Sequence, residues 1–167
     1  MVTCVYKGDL SSAKCVAVDD MLGWLVRWLR IIGVDVPPTA GRTDEELAST
    51  PCLLVTRDRE LFKRRKGPSL LLLTDDHVAW LSAVIKILGL SPFNTTRCPL
   101  CNSPLIKVDC SEAERAVGHK IFSSTCWRCP TCDNYYWQGS HWQGITQTVA
   151  KALIAAVKCE KLLTQGV

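Results

Sequence analysis

The chain has no apolar run long enough to cross a bilayer. Its most hydrophobic stretches, Leu70 to Leu73 and Val78 to Leu90, are bounded or broken by Asp75, Asp76, His77 and Lys86, whereas a spanning helix needs about 20 predominantly apolar residues. Met1 to Leu10 lacks the basic start and apolar core of a secretory leader. Net charge of one sign is also small. A formal +4 over 167 residues permits a polyanionic partner without demanding one. Splitting the chain near Pro92 changes little: residues 1–92 carry 12 Lys+Arg against 11 Asp+Glu, net +1, and residues 93–167 carry 8 against 5, net +3. Any case for nucleic acid therefore rests on where individual cations stand. Hydrophobic content is ample at 47%, enough for one real core and a small appendage.

Cysteine is ample too. Ten cysteines suit a secreted disulfide scaffold, yet four sit in Cys-x-x-Cys pairs and others lie inside apolar stretches. That distribution predicts a reducing, cytoplasmic location with Cys4, Cys15, Cys52, Cys110 and Cys159 as small core hydrophobes. Cys98-Pro-Leu-Cys101 and Cys129-Pro-Thr-Cys132 are two knuckles with 27 residues between them. They predict a zinc ribbon whose small antiparallel sheet carries Pro104 to Asp109 and Lys120 to Ser124. Four thiolates close a tetrahedral sphere, so the zinc is structural, one per chain, and the +3 of the second half falls by 2 to +1. Cys126-Trp-Arg-Cys129 is a competing pair. Pro130 repeats Pro99 at the same point of the knuckle, which favours Cys129 with Cys132. His119 and His141 are alternative ligands, although a lone His near a ribbon is more often a surface residue.

Ahead of the knuckles, apolar strands alternate with helices. Lys14 to Val18 is small and β-branched and stops at Asp19-Asp20. A helix follows at once, with Leu22, Leu25, Val26, Leu29 and Ile32 on one face and Trp24, Trp28 and Ile31 on a second, so it should be covered on two sides. Gly33 terminates it, and Val34 to Val36 starts a short strand closed by Pro37-Pro38. Thr43 and Glu46 fit a capping box that opens a short helix to about Ser49. Cys52 to Thr56 is a second strand, ending in Arg57-Asp58-Arg59-Glu60, and the helix after it is basic through Lys63-Arg64-Arg65-Lys66. Leu70 to Leu73 is a third strand, followed by Asp75-Asp76, a helix from Asp76 to Leu88 and a stop at Gly89. Met1 to Ser12 reads as an edge strand or a frayed arm, and Ile145 to Leu163 as a packing helix.

This alternation predicts an α/β fold with a parallel sheet covered on both faces. All strands of such a sheet end at one edge, and ligands bind there. Asp19 or Asp20, Asp58, and Asp75 or Asp76 follow strand ends, and Asp44 or Glu45 opens the intervening helix. Converging carboxylates resist ionisation unless a cation sits among them, and an all-oxygen donor set suits Mg²⁺ or Mn²⁺. Helix capping is the competing explanation for any one of these acids.

Taken in order, DDMLGWLVRWLRIIGVDV, TDEEL, CLLVTRDREL, RCPLCNSPL and CPTCDNYYWQGSHW resemble the Mut-seven C-terminal ribonuclease family over roughly Lys14 to Gln143. Members join a PIN-like nuclease domain to a zinc ribbon. The resemblance implies a PIN-like three-layer domain over residues 13–92 and a ribbon over 93–143, leaving a C-terminal helix over 144–167. It also implies Mg²⁺- or Mn²⁺-dependent hydrolysis of RNA phosphodiester bonds. The acidic positions of the family pattern fall on Asp19, Asp44 and Asp58; Asp75, nearer the strand end than Asp76, is taken as the fourth catalytic acid, and Asp19 and Asp58 would be the primary ligands of the divalent ion. Arg57, Arg59, Lys63, Arg64 and Arg65 are placed to grip the RNA backbone. Arg128, Tyr136 and Trp137 of the ribbon offer a cation and stacking surfaces for RNA, though a ribbon this small also needs aromatics for its own core. Two other functions fit parts of the pattern. One is a non-catalytic RNA-binding or regulatory ribbon protein. The other is a phospho-acceptor receiver, which lacks its final lysine after Leu73 and gives the ribbon no role.

Overall fold

The structure is a computed structural model describing residues 1–163. Its strands are β1 (Cys4–Lys7), β2 (Val16–Val18), β3 (Leu53–Thr56), β4 (Ser69–Leu72), β5 (Ile106–Val108), β6 (Cys126–Arg128), β7 (Tyr135–Trp137) and β8 (Cys159–Lys161). The helices are α1 (Gly23–Ile31), α2 (Asp44–Ala48), α3 (Arg59–Arg64), α4 (His77–Leu88), α5 (Cys110–Val117) and α6 (Trp142–Ile154).

The main sheet runs β2-β3-β4-β1-β8. β2, β3 and β4 are parallel, with Val16 beside Leu53 and Leu54 beside Ser69. Strand alternation then builds three layers. Leu53 and Val55 join Val16, Val18, Leu70 and Leu72 in a core completed by α1, α4 and α6, whereas Leu54 points the other way, onto Leu47 of α2 and Leu61 of α3. In α4, Trp80, Leu81, Val84 and Ile85 are all buried, each stabilising the fold by about 1.5–3 kcal/mol. Asp76 caps its first turn by accepting the N–H groups of Val78 and Ala79. Gly89 closes it in the left-handed region at φ +60°, which a residue without Cβ adopts at no steric cost.

The wholly parallel sheet expected from the sequence is corrected at both termini. β1 comes from the unpatterned N-terminal arm, pairs antiparallel with β4 and lies inside the sheet, not at its edge. Its lysine obscures the pattern, because Lys7 is buried yet satisfies its ammonium on the Phe62 carbonyl. The C-terminal helix ends at Ile154, and the chain then forms β8, parallel to β1. α6 sends Val149 and Ala152 into the main core. The strand expected at Val34 to Val36 is absent, although Asp35 O accepts Val16 N–H at 2.9 Å beside β2.

The second sheet is antiparallel, β5-β6-β7. Lys120 to Ser124 is not a strand of it. The inter-knuckle segment instead carries α5, whose Ala113 packs with Ile121 and Cys126 in a small core of its own.

The cysteines assigned to the core as free thiols are also corrected. Disulfides join Cys4 to Cys159, Cys15 to Cys52 and Cys110 to Cys126, with Cα–Cα separations of 4.5, 4.7 and 5.2 Å, within the usual span. The first ties β1 to β8, the second bridges the starts of β2 and β3, and the third fastens α5 to β6. They remove the argument from free thiols to a reducing compartment. No described helix is long and apolar enough to cross a membrane.

Candidate active site and metal centre

β2 and β3 are neighbours and parallel, so the residues just past their ends leave the sheet at the same edge. Asp19 and Asp58 are those residues, and Thr56, the last residue of β3, connects them. Its buried hydroxyl donates to Asp19 Oδ2 at 2.9 Å and accepts the Asp58 N–H at 2.9 Å. Asp19 Oδ1 lies 3.4 Å from Met21 N at the turn into α1. Asp58 Oδ1 accepts the N–H groups of Glu60 and Leu61 and so caps α3. Among the described residues Asp58 Oδ2 accepts no hydrogen bond. The two acids line one cavity of about 420 Å³ with Met21, Leu22, Arg57 and Trp80. Two carboxylates lining one cavity are an all-oxygen donor set of the kind Mg²⁺ or Mn²⁺ takes.

The other two strand-linked acids stand elsewhere. Asp44 opens α2, where its carboxylate is 3.8 Å from Arg64, and Glu45 pairs with the same guanidinium at 2.9 Å. Asp75 follows β4, one strand farther from Asp19, and is exposed. The wall on that side is Trp80, whose Nε1–H donates to Thr74 O at 2.7 Å. The sequence therefore points to the edge, and the geometry gathers two of four acids there.

The metal centre is built from two copies of one turn. In each, the first cysteine's carbonyl accepts the N–H of Asn102 or Asp133, and its own N–H donates to Ser103 O or Asn134 O, all at 2.9 Å. Asn102 and Asp133 take φ of +73° and +59°, a region these short polar residues tolerate. The turns bring the Sγ atoms of Cys98, Cys101, Cys129 and Cys132 within 4.8 Å of one another, with Cys101 and Cys129 3.4 Å apart. Zinc–sulfur bonds of about 2.3 Å make tetrahedral edges of about 3.8 Å, so the four can hold a zinc ion. Cys126 is excluded from the set by its bond to Cys110. Thiols this close cannot all ionise without a cation. Hydrogen bonding from Ser103 holds Cys101 down at about 6, hydrogen bonding to Cys101 pushes Cys132 up to about 12, and burial pushes Cys129 up.

The model of the Mut7-C RNAse domain family matches residues 14–149, most of the chain. The chain belongs to that family. Membership points to a ribonuclease-type function with RNA as substrate, and the match runs through both the Asp19–Asp58 cavity and the knuckles. No curated protein and no solved structure matches the chain.

In this Mut7-C chain α1 links the two sites. Its N-terminal side follows Asp19, and near its C-terminus Arg30, only 5% exposed, donates to Val36 O at 3.0 and 2.7 Å and to Pro99 O of the first knuckle at 2.9 Å. Burial pulls the Arg30 guanidinium down, while Cys101, Cys98 and Asp35 act against that shift. Asn102 completes the joint by accepting Val36 N–H at 2.9 Å and donating to Asp35 at 2.7 Å. Gly33 permits the close approach, since a Cβ there would strike the Thr95 main chain.

The expected RNA-facing residues divide in the same way. Arg57 is exposed and lies 5.9 Å over the Trp80 ring. Arg59 is exposed, and Lys63 makes a surface pair with Glu60 at 3.4 Å. Arg64 is engaged by Asp44 and Glu45. Arg65 is buried, donating to Ala48 O at 3.1 Å and Cys52 O at 2.8 Å, so its guanidinium braces the fold. Arg128 lies 3.3 Å from Asp133 and 3.8 Å from Glu112. Tyr136 Oη is 3.2 Å from Cys98 Sγ, and Trp137 and His119 meet in a T-shaped pair with ring centroids 5.9 Å apart. Thr56, Trp80 and Arg30 were not singled out from the sequence. Thr56 had a signal in standing two residues before Asp58, whereas Trp80 and Arg30 read as ordinary members of helices.

Proposed function

We propose that the chain is a Mg²⁺- or Mn²⁺-dependent ribonuclease that hydrolyses RNA phosphodiester bonds at the Asp19–Asp58 cavity. The observation that carries this reading is the Thr56 bridge, which holds two carboxylates at one sheet edge in a chain of a ribonuclease family. Asp19 and Asp58 would hold the ion, which supplies Lewis-acid stabilisation and a water of lowered pKa. Thr56 fixes the Asp19 carboxylate. Arg57, tethered over Trp80, is free to meet a phosphate oxygen. Arg59 and Lys63 extend the cationic track along α3, and Arg128 with the ribbon's aromatics assists RNA binding. Asp44 and Asp75 lie outside the cavity lining and serve at most as outer holders of water.

The domain division follows the same logic. Residues 13–92 carry the nuclease edge and 93–143 the zinc ribbon, while the segment after Gln143 returns to the nuclease sheet. The zinc is structural, because four thiolates leave no open position.

One observation favours a non-catalytic RNA-binding role. Asp58 and Asp76 each cap a helix, and only two carboxylates line the cavity. Cleavage of single-stranded and structured RNA by wild type, Asp19→Asn and Asp58→Asn proteins decides between them. Metal-dependent, EDTA-sensitive cleavage lost in both variants supports the nuclease; undiminished cleavage in both, or none by any protein across metals, refutes it.

A further inference from the structure

Successive residues of a strand face opposite sides of its sheet, and in β6 the two sides have different fates. Cys126 faces α5 and joins the small core with Ala113 and Ile121, so Trp127 faces away from it. The strand register sets Lys107, Trp127 and Tyr136 side by side on this second face. Trp127 and Tyr136 line a cavity of about 210 Å³ together with Ile31 at the end of α1 and with Trp142 and Ile145 at the start of α6. Trp127, Tyr136 and Trp142 belong to none of the three described hydrophobic cores and stay partly exposed. Packing alone does not account for them, because an unfilled space forfeits the contacts that a closed interface would make.

Size, shape and charge specify the occupant. Pockets for whole ligands run from about 300 to 1,000 Å³, so this cavity holds part of a molecule. Its walls are flat and already ordered: Trp127 and Trp142 stand with ring centroids 6.3 Å apart and planes 35° apart, Trp142 leans on Phe93 at 5.3 Å, and Tyr136 Oη is 3.2 Å from Cys98 Sγ. Little rotamer freedom is left to lose on binding. Among the described residues Arg97 and His141 line the cavity and no acid does, and Lys107 is exposed beside Trp127. A planar group carried on a polyanion fits all three features, and aromatic walls flanked by cations are where nucleobases stack. We propose that this cavity is a second RNA contact, which takes one unpaired base of a strand whose scissile phosphate lies at Asp19 and Asp58. α1 separates the two places. Its nine residues span about 13 Å, with Ile31 at the slot and Asp19 ahead of the other end, so the base and the phosphate belong to different nucleotides. The inserted base thereby sets the register of the strand on the cutting edge, and the slot exists only where ribbon, α1 and α6 meet.

This inference deepens the RNA-binding role given to the ribbon and rests on that reading, but it is tested by binding without cleavage. The probes are single-stranded oligouridylate and oligoadenylate, with inorganic polyphosphate of matched charge as the base-free control, titrated without added divalent metal. The proteins are the full-length wild type, Trp127→Leu, which removes a wall, and Ile145→Trp, which fills the cavity with a ring of the chain's own. Zinc content and unfolding midpoint are measured on each, and Ile145→Trp should unfold no earlier than wild type. Both variants should weaken oligonucleotide binding by roughly 5- to 150-fold, the worth of one stacked base, and leave polyphosphate binding unchanged. Equal affinity for oligonucleotide and polyphosphate, undiminished oligonucleotide binding by Ile145→Trp, a loss shared equally by polyphosphate, or an Ile145→Trp chain that does not fold overturns the proposal. If binding depends on the slot while no RNA is cleaved in any metal, the slot stands and the nuclease reading falls. Cleavage by a protein whose RNA binding ignores both substitutions has the opposite meaning.

Discussion

The Thr56 hydroxyl donates to Asp19 Oδ2 at 2.9 Å and in the same position accepts the N–H of Asp58. One side chain at the end of β3 thus orients a carboxylate on the neighbouring strand and the backbone that presents the second. Thr56→Val keeps the shape but deletes both bonds. The Asp58 amide then lacks its acceptor, a loss of about 1–3 kcal/mol in stability, and Asp19 loses its orienting donor, which in metal sites lowers activity about 10- to 100-fold. Thr56→Ser should retain most of both. Urea midpoints and initial cleavage rates of the two variants check this, and a Thr56→Val enzyme of wild-type rate would remove Thr56 from the site.

Asp58 does two jobs that substitution can separate. Its Oδ1 caps α3 through Glu60 and Leu61, and in the proposed ribonuclease its charge would hold the ion. Asn caps about as well as Asp, so Asp58→Asn should leave stability within about 0.5 kcal/mol, while Asp58→Ala loses about 1 kcal/mol. Removing one of two neighbouring carboxylates also relieves repulsion in the metal-free protein. Both variants should lose RNA cleavage by orders of magnitude. A thermally normal Asp58→Asn with full cleavage would mean that the cap was the whole role.

Arg30 joins the nuclease domain to the first knuckle through Val36 O and Pro99 O. Arg30→Met leaves those buried carbonyls short of donors and removes the cation beside Cys98 and Cys101. It should destabilise by roughly 1.5–3 kcal/mol and speed chelator-driven zinc loss about tenfold or more. Arg30→Lys should rescue little, because an ammonium cannot reproduce the planar fork. Metal-release traces with a chromogenic chelator give the comparison.

Much of this architecture was legible because the relevant signals are local. The Thr43–Glu46 capping box, the Gly89 stop and the apolar strands ending at Asp19 and Asp58 are each written within a few residues and recur in the structure. The second knuckle was legible because Pro130 repeats Pro99. What escaped was non-local. β1 becomes a strand only by lying between β4 and β8, with Lys7 sheltered by Phe62 O. Cys4 finds Cys159 across 155 residues, and no spacing rule announces such a pair. Trp80 turns toward the cavity because Thr74 O holds its indole N–H, a contact that helical periodicity does not encode. α5 was obscured because most of its surface is polar and only Ala113 is buried.

The knuckles and the third disulfide together predict a division among neighbouring cysteines. Purified protein should hold about one zinc per chain. Cys98→Ser or Cys129→Ser should abolish it and loosen the ribbon, since metal binding there is folding free energy. Cys126→Ser frees Cys110 but leaves all four ligands, so zinc should stay. Elemental analysis of the three variants tests the assignment, and equal zinc loss from Cys126→Ser would transfer the ligand role to Cys126.

The cross-links can be counted. Of ten cysteines, six are paired and four are free. Non-reduced protein, denatured with EDTA, should therefore release four thiols to an alkylating reagent, and reduction should raise the number to ten. Cys4–Cys159 matters most for stability because it closes almost the entire chain. In the chain-entropy model so long a loop contributes up to about 5 kcal/mol, although measured values are typically about 2–4. The Cys4→Ser/Cys159→Ser double variant should lower the unfolding midpoint by the most, and protection of β8 amides from hydrogen exchange should fall before that of β2, β3 or β4, which remain tied by Cys15–Cys52. Ten reactive thiols without reductant would show the pairs to be open, in which case the same double variant should have little effect.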